Sequence, residues 1–541
     1  MLMAVRQIQS ALRARFEHSK WPPPIVLIPA VLVCLLLLLS PAYLTVRTLE
    51  SGVEAWDLLF RLRVLQILLR TLGLVFSVTL ASVALAVPLA WLIVRTDLPL
   101  RRMWRVVLPL PLVVPSYVGA LVVVAALGPR GMLQGLLQSL FGIELLPDLS
   151  GFPGAFLVLT LLSYPYVLLT VQAALWRMDP ALEESSSGLG YSGWATFRKI
   201  ILPLLRPAIA SGSLLVALYT LSDFGAVSLL RFETFTWAIF TQYEGALDRT
   251  LGAAMSLALV VVALSLVGLE GITRSRSQYY RSDQGVARPS RIMPLGKWRW
   301  PAEAFCAVVT IAALVLPIVI LVFWVVRGVS LGEPFLLLWG AMRNSLYVSA
   351  LAAGAAIISA LPVAILTVRF PGIFSTFLER ITFIGFALPG IAVALGLVFF
   401  GANYAPILYQ TLGLLVLAYV VLFLPAAVGS TRTSLLQMSP NVESAARSLG
   451  RSPLQVAFTV TVPLVRPGIL AGAALVFLLT MKELPATLIL SPIGFETLAT
   501  SIWAAASEAF FARAAAPALL LILASSLPLA FITIRQHRQG E

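Results

Sequence analysis

Charge is scarce in this chain. Asp, Glu, Lys and Arg make up 11% of its 541 residues, against roughly 25% in an ordinary soluble domain. That excludes a water-soluble globular protein of this length. Histidine is almost missing: His18 and His537 are the only two, and both lie in the terminal stretches. There is no basis for a histidine metal site or a histidine-based catalytic dyad. Cysteine is as rare. Cys34 and Cys306 each sit inside an apolar run, too far apart for a local metal motif, and nothing supports a disulfide. No nucleophile elbow and no metal-ligand cluster speaks for a membrane enzyme. Acid is the scarcer sign, 24 Asp and Glu against 38 Lys and Arg, for a net charge of +14. The basic residues are scattered among short loops. That is the pattern of positive-inside topology and not of a nucleic-acid-binding stripe.

Apolar residues fill what charge leaves. They make up 59% of the chain, and runs of about 20, enough to cross a bilayer, recur along it. Residues 1–24 read as a basic cytoplasmic tail ending in Pro22, Pro23 and Pro24. The run 25–46 is too long for the core of a signal peptide and reads as a first span. Further spans are expected at 71–94, 106–127, 151–176, from Pro207 onward, and at 251–269. A basic linker follows at 272–301. A second set is expected at 304–326, 344–368, two within 381–431, one from Pro467 onward, and 514–534. The uncharged run 381–431 must break near Gly401 and Pro406. The expected fold is an all-α integral membrane protein of about twelve spans. Its domains are the tail 1–24, a first membrane domain 25–271, the linker 272–301, a second membrane domain 302–535 and a tail 536–541. Both termini then lie in the cytoplasm, and loops rich in Arg, such as Arg101, Arg102 and Arg105, fall inside.

The two membrane domains carry one polar loop in two copies. Residues 178–212 align with 438–472 without a gap, Met178 on Met438, a shift of 260. Glu183 falls on Glu443, Gly190 on Gly450, Ser192 on Ser452, and the Pro-Leu-x-Arg-Pro run at 203–207 on 463–467. The repeat continues: Asp223 falls on Glu483, and Phe232-Glu233-Thr234 recurs as Phe495-Glu496-Thr497. An even number of crossings in each half makes the repeats parallel, six helices each. Two copies of one polar loop imply a partner that also comes in two copies.

Each copy reads as a short helix, a glycine turn and a second short helix. Asp179-Pro180 and Ser439-Pro440 supply an N-cap and a proline at the first helical position. Glu183, Glu184 and Glu443 fall in the first turns, where the helix dipole favours anions. Gly190 and Gly450 suit a left-handed stop. Ser192 and Ser452 cap the second helix, and Ser452-Pro453-Leu454-Gln455 is a capping box. Pro203 and Pro463 are expected to end it. Neither short helix is stable alone in water, so each needs a docking surface.

These residues resemble the EAA loop of permease subunits of binding-protein-dependent ABC importers. In the first copy the pattern is carried by Glu184-Ser185-Ser186, Gly190 and Pro203. In the second it is carried by Ser444, Ala445 and Ala446, then Gly450 and Pro463, with the acid Glu443 one position early. The resemblance implies that each loop sits in a groove of one of two ATPase subunits, whose closure swings the halves between inward- and outward-facing states. It also implies a bacterial inner-membrane location and a periplasmic or extracellular substrate-binding protein. The chain has no G-x-x-x-x-G-K-S/T run, so the ATPase must be a separate polypeptide. No cofactor is assigned to this chain; ATP and magnesium belong to the ATPase. Apart from these proteins, the expected surroundings are membrane lipid and no nucleic acid.

Within that family, fused double permeases resemble ferric-iron importers, with thiamine importers or other small-solute importers as the alternative. The iron-like residues include 222–230, 232–235, Gln242, Tyr243, Asp248, Arg249, 482–487 and 495–500. Asp223 and Glu483 each lie 16 residues after a proline, Pro207 or Pro467. That is about 24 Å along a helix, toward the outer end of a span. Carboxylates there face a pathway or pair with a polar neighbour. Facing a pathway, they offer hard oxygen ligands to a passing ferric ion, with no fixed metal site. At the outer interface instead, Glu483 is neutralised by Lys482. Tyr164-Pro165 and Leu424-Pro425 read as kinks. A secondary transporter of major-facilitator type also has parallel six-span halves, but it has no use for paired capped loops.

Overall fold

The computed structural model describes residues 22–50, 52–128, 131, 132, 134, 138, 149–178, 180–245, 250–275, 292–332 and 338–540. The apolar runs fold as helices because a bilayer leaves the backbone no other partner than itself. The first half comprises α1 (Pro24–Glu50), α2 (Gly52–Leu59), α3 (Leu62–Arg95), α4 (Arg101–Val107), α5 (Ser116–Leu127), α6 (Phe152–Arg177), α7 (Pro180–Gly188), α8 (Gly193–Thr196), α9 (Leu202–Ser222), α10 (Gly225–Leu229), α11 (Phe235–Gly245) and α12 (Thr250–Ser275). The second half comprises α13 (Arg299–Thr310), α14 (Leu316–Ser330), α15 (Leu338–Arg369), α16 (Ile373–Ile384), α17 (Gly390–Tyr404), α18 (Leu412–Gln437), α19 (Pro440–Ser448), α20 (Pro453–Val456), α21 (Val462–Met481), α22 (Pro485–Leu490), α23 (Leu498–Ser507) and α24 (Phe511–Gly540). Among the described residues, nine helices are long and apolar enough to cross a membrane, and two bent pairs add up to two more. The described apolar part of the C-terminal helix α24, Phe511–Ser526, is shorter than that, so nine to eleven spans stand against the expected twelve.

The halves repeat each other element for element from α3 and α15 onward. In the first, α3, α6 and α9 pack together; in the second, α15, α18 and α21 do the same. The leading helices are exchanged. Helix α1 lies against α15, α16 and α17 of the second half, and α14 lies against α5 of the first. The α1 contact is close and specific. Ser40 Oγ donates to the carbonyls of Ala392 and Val393 at 3.2 and 3.3 Å, and the Cys34 thiol approaches the Leu378 carbonyl at 3.6 Å. The linker is tied down at its end: Met293 N–H donates to the Arg95 carbonyl at 2.8 Å and Leu295 N–H to Asp97 Oδ1 at 2.7 Å.

Two expected spans are not straight. The stretch 106–127 is folded between α4 and α5 at 90°, and α16 and α17 meet at 106°. Both bends fall before an x-Pro step, Val114-Pro115 and Leu388-Pro389, at equivalent places in the halves. Val114 (ψ 118°) and Leu388 (ψ 119°) are extended, as the residue before a proline prefers. The break at the end of α17, by contrast, falls where Gly401 and Pro406 place it.

The prolines after the loops act differently from expectation. Pro203 and Pro463 do not end a helix. A π-turn, Phe197–Ile201 or Ala457–Thr461, joins α8 to α9 and α20 to α21. In it, Leu202 N–H reaches back to the Phe197 carbonyl and Val462 N–H to that of Ala457. A proline ring clashes with the carbonyl four residues earlier. The widened turn relieves that clash, and the helix runs through. The same device, Ile311–Val315, precedes Pro317. Pro207 and Pro467, read as the starts of spans, lie inside α9 and α21.

Gly396 of α17 tests the exchange of leading helices. A Cβ there would overlap Ser40 of α1. Gly396→Leu is expected to cost about 1–3 kcal/mol through overpacking. Gly354→Ala on α15, whose Cβ meets nothing within 4 Å, should be neutral or slightly stabilising. Thermal melts of the two purified variants check the contrast.

Candidate functional site: the paired loops and the central carboxylates

The loop helices form as their caps require. Ser439 accepts from Asn441 N–H at 3.3 Å. Ser452 and Gln455 close the capping box, with Ser452 N–H donating to Gln455 Oε1 at 2.9 Å and Gln455 N–H to Ser452 Oγ at 3.3 Å. Ala195 N–H donates to Ser192 at 3.3 Å. Asp179 lies outside the described residues. Gly190 (φ +81°) and Gly450 (φ +83°) take the left-handed conformation that turns each chain back.

The acids of the loops are not equivalent in use. Glu443 points inward and is buried. Its Oε2 lies 3.0 Å from Arg369 Nε, as an ion pair rather than an aligned hydrogen bond, and its Oε1 accepts from Thr461 Oγ1 at 2.9 Å. Arg369 ends α15 and also donates to the Met438 carbonyl at 3.3 Å. Glu443 thus fastens the loop helix to the membrane body. In the first half, Arg95 ends α3 at the corresponding place and donates to the Leu175 carbonyl at 3.1 Å. The side chain of Glu183, the partner of Glu443 in the repeat, lies outside the description. Glu184 is exposed. Ala446 is buried and Ala445 exposed. The loop of the first half has a polar tie of its own, Ser186 to Thr196 at 2.8 Å.

Apolar side chains stand out from these polar loops at repeated positions. Leu189 is 78% exposed and its counterpart Leu449 84%. Leu182 and Val442, another matched pair, are each 43% exposed. Among the described residues, nothing covers the exposed parts of these side chains.

The second cluster lies where α9 and α21 end, far from the loops. Asp223 and Glu483 each follow the last turn and cap a short helix. Asp223 Oδ1 accepts from Ala226 N–H at 3.0 Å and Val227 N–H at 3.3 Å, starting α10. Glu483 Oε1 accepts from Ala486 N–H at 3.3 Å, starting α22. Threonines secure the two carbonyls: Thr236 donates to Asp223 O and Thr487 to Glu483 O, both at 2.6 Å. Thr487 also meets Tyr419 at 2.7 Å. Asp223 is buried beside Ser116, the first residue of α5. Glu483 lies within electrostatic range of Asp223 and of Tyr117, both in the other half. Lys482 does not close an ion pair with Glu483. Its ammonium donates instead to the Leu112 carbonyl of the first half at 2.9 Å.

The repeated Phe-Glu-Thr motif is architectural. Thr497 caps α23, Phe235 N–H donates to Thr71 at 3.0 Å and Leu498 N–H to Ser345 at 2.7 Å. Glu233 pairs with Arg70 at 3.1 Å. Asp248 and Arg249 lie outside the described residues. Among the described residues, no group of three or more His, Cys, Asp or Glu side chains gathers as a metal site.

Paired loop helices on one side and two parallel halves meeting at capped helix breaks define a membrane transport component. The family of inner membrane components of binding-protein-dependent transport systems matches twice, over residues 82–279 and 352–539. The chain belongs to this family, as a permease with both copies fused in one polypeptide. That decides against a major-facilitator carrier. It is 35% identical over 512 residues to the Fe(3+)-transport system permease protein FbpB 2 of Haemophilus influenzae, covering 94% of this chain and 97% of that protein. It is 26% identical over 406 residues to the ferric transport system permease protein FbpB of Actinobacillus pleuropneumoniae, covering 70% of this chain and 58% of that protein. It is also 27% identical over 256 residues to the sulfate transport system permease protein CysT of Escherichia coli, covering 46% of this chain and 90% of that protein.

The Glu443–Arg369 contact gives a stability test. With both side chains about nine-tenths buried, Glu443→Ala leaves a buried cation unpaired and is expected to cost about 3–5 kcal/mol. The double variant Glu443→Ala with Arg369→Ala should recover part of that loss. Melting temperatures and the protease sensitivity of the loop after α18 report both.

Proposed function

We propose that this chain forms the translocation pathway of an ATP-driven importer of ferric iron. Two copies of an ATPase grip the loops at α7–α8 and α19–α20 on the cytoplasmic side. A periplasmic binding protein delivers the cargo to the opposite face. The chain hydrolyses nothing itself. Both termini lie in the cytoplasm of a bacterium, and the body spans its inner membrane.

One observation carries the coupling: the matched exposed pairs Leu189 and Leu449, Leu182 and Val442, on otherwise polar capped helices. Exposed apolar residues that recur at equivalent positions mark a surface meant to be covered, twice, by the same kind of partner. Glu443 and Arg369 make the loop rigid with α15 and α18, so a push on the loop moves the half.

The iron assignment is supported by the relative that aligns over nearly the whole chain and by the two carboxylates at the meeting of the halves. Each carboxylate uses one oxygen to hold a helix start. The other oxygens are hard ligands suited to a ferric ion in passage. A site of this kind holds its ion weakly, as a conduit requires.

Two expected outcomes test the two parts. Gly190→Pro together with Gly450→Pro imposes a negative φ where the turn needs a positive one. In proteoliposomes containing the ATPase and the binding protein, this variant should lose iron uptake and ATPase co-purification while staying in the membrane. Normal uptake would refute the coupling. Asp223→Asn with Glu483→Gln keeps the helix caps and removes the charges. It should slow radiolabelled iron uptake at least tenfold while ATPase binding is unchanged; undiminished uptake would remove the carboxylates from the pathway.

A further inference from the structure

A cavity of about 470 Å³ opens between the halves on the side away from the coupling loops. Ser228, Thr241 and Glu244 line it from the first half and Ser507 from the second, and Phe240 and Trp503 form part of its wall. Against those two rings lies Phe224. Its ring centroid is 4.6 Å from that of Phe240 and 5.0 Å from that of Trp503, both tilted, and it is fully buried. Phe224 is the residue next to Asp223. The order is therefore cavity, aromatic cluster, carboxylates.

The repeat makes the cluster more than a packing contact. Phe240 and Trp503 are counterparts, at the shift that carries Phe232 onto Phe495. One comes from α11 and one from α23, and the two clasp a single ring. The counterpart of Phe224 in the other half is Leu484. A ring on the pseudo-twofold axis cannot be present in both copies, because the second would occupy the same space. Here the halves differ, Phe224 against Leu484, so that one ring fills the place. Phe224 also sits in the break between α9 and α10, so it can swing without unwinding a helix.

We propose that Phe224, clasped by Phe240 and Trp503, is the closure between the outer cavity and the paired carboxylates, and that it moves aside to admit a hard, oxygen-seeking cation. This rests on the reading of Asp223 and Glu483 as pathway residues. It adds a specific gate, placed in one half only, and gives the cavity above it, where Glu244 and the serine and threonine hydroxyls share a largely apolar wall with Arg231, the role of antechamber.

Accessibility from outside tests it without cargo or ATPase. In the full chain with Cys34→Ala and Cys306→Ala, a Ser116→Cys reporter lies behind the closure and a Ser507→Cys reporter in front. Right-side-out membrane vesicles are treated with a membrane-impermeant maleimide. The Ser507→Cys reporter should react readily in every background. The Ser116→Cys reporter should react at least tenfold more slowly with Phe224 present, and Phe224→Ala should abolish that difference. Phe240→Ala with Trp503→Ala should do the same, and Phe224→Trp should keep the reporter protected. Where Phe224→Ala fails to reach the membrane, Phe224→Leu, which places the residue of the other half on the axis, decides by the same readout. Equal reactivity of the Ser116→Cys reporter with and without the ring overturns the proposal, whatever the cargo. If this gating is seen but iron uptake is absent, the closure stands and the choice of cargo falls.

Discussion

A helix that stops inside a bilayer frees N–H and C=O groups that lipid cannot satisfy. This chain stops four helices there, at the ends of α9 and α21 and at the bends before α5 and α17. The first bend and the ends of α9 and α21 meet across the halves, through Lys482 on the Leu112 carbonyl and through the neighbouring carboxylates. The acceptors these ends need are supplied by Asp223 and Glu483, which start α10 and α22, and the donors by Thr236 and Thr487, which give their hydroxyl protons to the carbonyls left behind. The Leu112 carbonyl, freed near the first bend, takes the Lys482 ammonium. The polar centre of the molecule is thus a consequence of its broken helices. Charge is scarce in the sequence because the lipid-facing surface excludes it, and it is spent where the backbone is interrupted.

The exchange of leading helices fits the same constraint. Helix α1 covers the outer side of α15, α16 and α17, where the second bent pair would otherwise expose its turn. Ser40 lays its hydroxyl on the carbonyls of Ala392 and Val393 in the first turn of α17. The two halves cannot separate without uncovering a break. The contacts at the centre include single hydrogen bonds such as Lys482 to Leu112.

Much of this was legible in the residues and some was not. The all-helical membrane body, the two repeated halves, the glycine turns and the capping box followed from apolar run length and from a repeat read at one fixed shift; of the twelve expected spans, nine to eleven are long and apolar enough among the described residues. The same fixed shift hid the bends. Pro115 and Pro389 are counterparts 274 residues apart, not 260, because the segments between bend and loop differ in length. An apolar run also looks the same straight or folded. Pro203 and Pro463 misled for a different reason: proline ends an α-helix by local rules, but a π-turn removes the clash, and no pattern announces it. The inward turn of Glu443 depends on Arg369, far away in sequence. Its place one step before the family position was the one visible sign that it does another job. Phe232-Glu233-Thr234 counted only toward the likeness to iron permeases; its structural role, with Phe235 N–H held by Thr71, shows only once the chain is folded.

The carboxylates unite these strands. A residue placed only to bind cargo would be free to take any rotamer that suits the ion. Asp223 and Glu483 are not free, because each holds the start of a helix through one oxygen. On the proposed reading, an ion drawing on the remaining oxygens would pull on α10 and α22. Helix α10 contacts α5 and α23, and α22 contacts α17 and α18, so the pull reaches both bent pairs and, across the axis, the other half. Under the proposed function, cargo arriving between the halves would in this way be felt by the elements packed on α10 and α22. A side chain that both caps a break and faces the pathway needs no separate sensor to join occupancy to conformation.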